Sequence, residues 1–256
     1  MLLLVQFLSR LSFGLAAAML AVSPRQVTSG YYRNNSYVLL GLNTLAALVL
    51  LLTPQEGLYA WPAALAAVAG YLAAASWLYE KAGPGLLALA IAAIASLAGA
   101  ALNGLTDLSG VFIWLRWLHL AGSAAGGAVL GVTLAAMLLG HWYLNVPGMS
   151  LAPLFRLIHL MIAALAVRAA VALPGLFIAW LDVESGKTID TSLWLFLCLR
   201  WLTGLLGALV VAVMARETLK VPNTQSATGI LYVGVILTFI GELTSLLLSR
   251  GQPFPI

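Results

Sequence analysis

The side chains able to do chemistry are few, and they sit where a bilayer disfavours them. All three histidines, His119, His141 and His159, fall between Val111 and Trp180, together with Arg116, Arg156 and Arg168. Arg10, Arg200 and Glu242 lie inside other apolar runs. Ionisable groups are costly within a membrane, so a stretch that gathers them marks a functional-site candidate. Imidazoles ligate haem iron and other metals. Guanidinium forks hold carboxylate and phosphate groups by paired hydrogen bonds. A buried carboxylate either neutralises an arginine or carries a proton.

The histidine spacing admits a haem. His119 and His141 are 22 positions apart and return to nearly the same helical face. That face carries Gly122, Ser123, Gly126, Leu130, Thr133 and Met137, and the pairs Gly122/Gly126 and Gly127/Gly131 would let either a partner helix or a flat macrocycle lie close to the backbone. His141 and His159 flank one connection, Trp142–Ser150, and are the expected axial ligands of a single b-type haem. They differ in depth by roughly two turns, which helix tilt would have to absorb. His119 lies too far toward the other surface to join them and instead suits a haem propionate or a quinone carbonyl. The pattern is not that of a paired-haem cytochrome b. A zinc site needs a third protein ligand at the level of His141 and His159, and none is there.

The arginines define a second candidate. Arg10 lies roughly 13 Å from the surface at which its helix starts, and Arg200, Glu242 and Arg168 fall at similar or slightly greater depth. Arg116 and His119 lie nearer that surface. An arginine at mid-membrane costs at least about 2.5–3.5 kcal/mol. One reading is a structural ion-pair network around Glu242, with other arginines snorkelling. However, one glutamate cannot neutralise Arg10, Arg168 and Arg200 together. The other reading is therefore an anionic partner: haem propionates, a lipid phosphate or a transported anion.

Composition fixes the class of molecule around these residues. Of 256 residues 62% are hydrophobic and 8% charged, with mean hydropathy +1.04; soluble domains carry about 25% charge. The chain reads as an all-α, polytopic integral membrane protein of a cell (inner or plasma) membrane. The lone Cys198 excludes internal disulfides, c-type haem attachment and cysteine-ligated clusters. No basic, aromatic-laced cluster points to nucleic acid. No Walker A, GxSxG or HExxH motif occurs, and no buried lysine offers a Schiff base.

Eight candidate spans follow: Leu2–Val22, the short Tyr37–Leu52, Tyr59–Tyr79, Leu86–Leu102, Phe112–Tyr143, Leu151–Leu181, Leu193–Met214 and Gly229–Leu248. Ala82–Gly85 reads as a turn, and Pro174 is expected to kink the sixth span. Asn223–Gly229 reads either as a helix cap or as an anion-receiving helix start. Arg25, Arg33, Lys81, Arg156, Arg216 and Lys220 mark one side. Glu56, Asp107, Asp182, Glu184 and Asp190 mark the other, with Lys187 and Arg250. The positive side stays cytoplasmic, which places both termini on the non-cytoplasmic side.

The whole chain, 1–256, reads as one transmembrane domain. Arg10-Leu-Ser-Phe-Gly, Arg116-Trp-Leu-His and Arg200-Trp-Leu-Thr-Gly, each followed by a methionine, suggest a helix-hairpin repeat over 1–53, 58–102, 111–181 and 191–250. The architecture is similar to that of membrane subunits of respiratory complexes. The leading expectation is an electron-transfer subunit handling a quinone, a b-type haem or both, docked to other membrane or redox subunits. His141 and His159 would hold the haem iron. Arg10, Arg168 and Arg200 would hold its propionates or another anionic group, with Glu242 as counter-charge or proton carrier. A small-solute or anion transporter, and a structural assembly factor with no ligand, are the alternatives.

Overall fold

The computed structural model describes residues 2–53, 58–106, 112–146, 148–184, 191–221 and 223–249. Its helices are α1 (Leu2–Leu20), α2 (Ser29–Leu52), α3 (Trp61–Leu78), α4 (Ala82–Leu105), α5 (Ile113–Asn145) and α6 (Ala152–Glu184). They continue with α7 (Thr191–Cys198), a π-helical segment (Leu199–Gly207), α8 (Ala208–Lys220) and α9 (Thr224–Leu248). The run from α7 through the π segment to α8 makes one span, so eight helices are long and apolar enough to cross a membrane. Glu56, Asp107, Lys187, Asp190 and Arg250, which enter the charge asymmetry, lie outside the described residues, and the side chains of Asp182 and Glu184 are not described.

Several helix ends differ from the sequence expectation for local reasons. α2 starts at Ser29 rather than near Tyr37 because its first polar turns are buried and bonded. Tyr32 Oη donates to the Val22 carbonyl (2.7 Å) and Ser36 Oγ to the Tyr32 carbonyl (2.8 Å). Ala82–Gly85 is the first turn of α4, not a loop. A proline there lacks only an N–H that the helix would leave unpaired anyway. The reversal occurs one step earlier, where Glu80 takes φ 55°. α9 starts at Thr224, capped by Asn223, whose side chain accepts from the Ser226 backbone N–H at 2.9 Å, so the capping reading holds. Pro174 is accommodated inside α6.

The helices form two groups of four spans. In the first, α1 packs on α2 and α4, α2 on α3, and α3 on α4. In the second, α5 packs on α6 and α9, α6 on α8, and α8 and the π segment on α9. The partner pattern is the same in both groups, with α5 in the place of α1, α6 in that of α2 and α9 in that of α4. The groups meet chiefly along α1 and α5. Glycine makes that seam close. A Cβ on Gly14 would collide with the Gly127 carbonyl, and one on Gly131 with the Gly14 backbone. Leu15, Met19, Val129, Val132, Ala135 and Ala136 extend it as continuous apolar core.

Candidate functional site

The charged side chains meet where α5, α6, the π segment and α9 adjoin. Glu242 of α9 is buried, and so are Arg168 of α6 and Arg200 of the π segment. Arg168 Nε donates to Glu242 Oε1 at 2.9 Å, and Arg168 Nη2 donates to Ser245 Oγ at 2.6 Å. Arg200 Nη2 lies 2.9 Å from the same Glu242 oxygen, close enough for an ion pair but off the hydrogen-bond direction. The carboxylate fits because α5 presents Gly126 to it: a Cβ there would strike Glu242 Oε2. Arg200 reaches in over a glycine crossing, since Gly204 and Gly241 bring the π segment and α9 into backbone contact. π-helical turns are rare and recur at functional sites.

Arg10 of α1 completes the group from across the seam. It is buried, donates from Nη2 to Ser123 Oγ of α5 at 2.9 Å, and lies within Coulombic reach of Glu242 and Arg168. Among the residues whose side chains are described, Glu242 is the only buried carboxylate. The cluster therefore holds three guanidinium groups against one acid. Arg10 Nε, Arg168 Nη1, Arg200 Nε and Glu242 Oε2 are buried with no hydrogen-bond partner there. Unpaired buried polar atoms cost about 1–3 kcal/mol each, and more when charged.

One turn along α1 from Arg10, toward the end where that helix begins, lies buried Gln6. Its Nε2 donates to the Ala100 carbonyl of α4 at 3.1 Å, while its Oε1 has no partner. One turn along α5 from Ser123, in the same direction, lies His119, with neither ring nitrogen partnered. Both face Gly104 of α4: a Cβ there would stand 3.0 Å from His119 Nε2 and 3.2 Å from Gln6 Nε2.

The first helix group shows what a closed junction looks like. At the corresponding place, between α1, α2 and α4, Ser12, Asn43 and Ser96 form a buried ring of neutral hydrogen bonds. Asn43 Nδ2 donates to Ser12 Oγ (2.6 Å), Ser96 Oγ donates to Asn43 Oδ1 (3.1 Å), and the two serine hydroxyls are 3.0 Å apart. Asn43 lies on α2 and Ser96 on α4, the helices whose packing partners match those of α6 and α9, which carry Arg168 and Glu242. One junction is neutral and satisfied; the other is charged and has donors to spare.

The remaining candidates are dispersed. His141 and His159 are both exposed on the outside of the bundle, with His159 stacked 6.4 Å from Phe155. A haem held by that pair would lie on this outer surface rather than in the core. Arg156 donates from Nη1 to the Ala21 carbonyl (3.2 Å), capping the end of α1. Arg116 is half-buried near the start of α5. The described residues contain no group of three or more metal-ligating side chains. Sequence reasoning brought Arg10, Arg168, Arg200 and Glu242 to one layer, but it missed Gln6, Ser245 and the π segment. No known protein family, curated protein or solved structure matches the chain.

Proposed function

We propose that this chain binds an anion within the membrane and carries it across. The observation behind the reading is the charge count at the junction: among the residues whose side chains are described, Arg10, Arg168 and Arg200 face Glu242 alone, and spare N–H groups remain on all three arginines. Uncompensated charge in a low-dielectric interior costs several kcal/mol per ion, and a bound carboxylate or phosphate removes that cost while filling the open donors. The loop charges support a junction in the non-cytoplasmic half of a cell (inner or plasma) membrane, with both termini on that side.

The test is uptake of a labelled monocarboxylate or phosphate into proteoliposomes. We expect accumulation that Arg10→Gln lowers at least about tenfold, the worth of one lost charge-assisted hydrogen bond, with no dependence on redox state. Arg10 is the informative choice because its hydrogen bond is to Ser123, which leaves the Arg168–Glu242–Arg200 bridge in place. Uptake equal to that of empty liposomes would overturn the reading.

One observation favours a second reading. His119 keeps unpartnered ring nitrogens one turn along α5 from Ser123, the partner of Arg10, and a quinone carbonyl accepts hydrogen bonds from such groups. This is the electron-transfer expectation, with a quinone at the same junction and partner redox subunits outside it. A b-type haem would use exposed His141 and His159. Quinone extracted at stoichiometric amounts from the purified protein, or a reduced-minus-oxidised haem band lost in His159→Ala, would favour it over transport.

A further inference from the structure

Resting on the anion-binding reading, we infer that Gln6 and His119 form a second polar subsite for the uncharged end of the same ligand, which makes that ligand an anion carrying a hydroxyl several bonds from its charged group. The argument starts from the orientation of Gln6. Its amide is fixed by the Nε2 hydrogen bond to the Ala100 carbonyl, so the group it leaves open is an acceptor, Oε1. His119 keeps both ring nitrogens open, and a neutral imidazole offers one donor and one acceptor. A hydroxyl is both donor and acceptor. It can donate to Gln6 Oε1 and accept from the imidazole N–H, pairing the Gln6 oxygen and one of the two His119 ring nitrogens at once. A carbonyl or a second anion would serve only the imidazole and leave the Gln6 oxygen unpaired.

Spacing sets the length of the ligand. Gln6 precedes Arg10 by one turn on α1, and His119 precedes Ser123, the partner of Arg10, by one turn on α5. Gly126, against which Glu242 lies, is a further turn along. The subsite therefore stands roughly 6–10 Å along the helix axes from the guanidinium layer. Gly104 carries no Cβ to crowd the two side chains, where one would stand 3.0 Å from His119 Nε2 and 3.2 Å from Gln6 Nε2.

Calorimetry on the full chain in mild detergent tests this with hexanoate, 6-hydroxyhexanoate (whose extended chain spans the interval) and inorganic phosphate. We expect 6-hydroxyhexanoate to bind about five- to tenfold more tightly than hexanoate, the worth of about one net hydrogen bond. Gln6→Leu and, separately, His119→Phe should erase that preference, chiefly by weakening 6-hydroxyhexanoate, because the methyl end of hexanoate makes no hydrogen bond to either side chain. Arg10→Gln should weaken both ligands. Equal affinities in the wild-type protein, or a preference that survives both substitutions, would overturn the subsite while leaving the anion reading standing. Binding of phosphate alone would do the same. Failure of all three ligands to bind would overturn both.

Discussion

Glu242 serves two opposed ends. It neutralises part of the arginine charge, and it competes with any anion for the same guanidinium groups. Its carboxylate takes the Nε of Arg168 and the ion pair of Arg200 through one oxygen, leaving the other unpaired. Glu242→Gln should therefore lower the stability of the ligand-free protein by about 3–5 kcal/mol, as breaking a buried pair does, yet raise anion affinity. Thermal unfolding with and without phosphate checks both halves: a lower midpoint without ligand and a larger upward shift with it. A wholly structural network would show the first effect and no phosphate shift. These four charged residues were legible in the sequence because a charge in an apolar run needs an explanation. Gln6, Ser123 and Ser245 were harder to single out, since a neutral polar residue in such a run is ordinary. The exposure of His141 and His159 was not legible either. Their helices are apolar on nearly every side, so periodicity fixes depth but not which face turns inward.

At the scale of helices, the spans could be counted from hydropathy, and their ends could not. Polar first turns such as Ser29–Ser36 and the Gly-Pro-Gly of α4 look like loops until burial and hydrogen bonding are known. The π segment carries no sequence signal; it widens the turn that bears Arg200, with the Thr203 hydroxyl donating to the Leu199 carbonyl inside it. Glycine has opposite meanings in different helices. Gly131 sits in backbone contact with α1, whereas a Cβ on Gly41 of α2 would meet nothing within 4 Å. Gly131→Leu should force α1 and α5 apart and cost about 1–3 kcal/mol or more, as overpacking does. Gly41→Ala should be neutral to stabilising by up to about 1 kcal/mol, the helix-propensity gain. Chemical denaturation of the two variants in detergent distinguishes them, and equal destabilisation would contradict the seam as described.

Across the whole molecule, two four-span groups share one pattern of helix partners, and only one carries charge at its junction. Asn43→Leu should break the neutral ring and leave Ser12 and Ser96 incompletely bonded, costing about 1–3 kcal/mol, with phosphate and carboxylate binding unchanged. A loss of binding equal to that of Arg10→Gln would show that the first group takes part in the site beyond Arg10. The short Arg-containing echoes in the sequence hinted at internal repetition. The partner pattern of the two groups became visible only through contacts between residues distant in the chain, which hydropathy does not encode.

Arg10 belongs to one group, while Arg168, Arg200 and Glu242 belong to the other, and the two groups touch mainly along a line of glycines. A molecule gripped by arginines from both sides would act as a removable cross-link between the two helix groups. Its arrival would set the angle at which they lean together. Its departure would leave like charges facing one another across the α1–α5 seam, so the groups that do the holding would also oppose the closing.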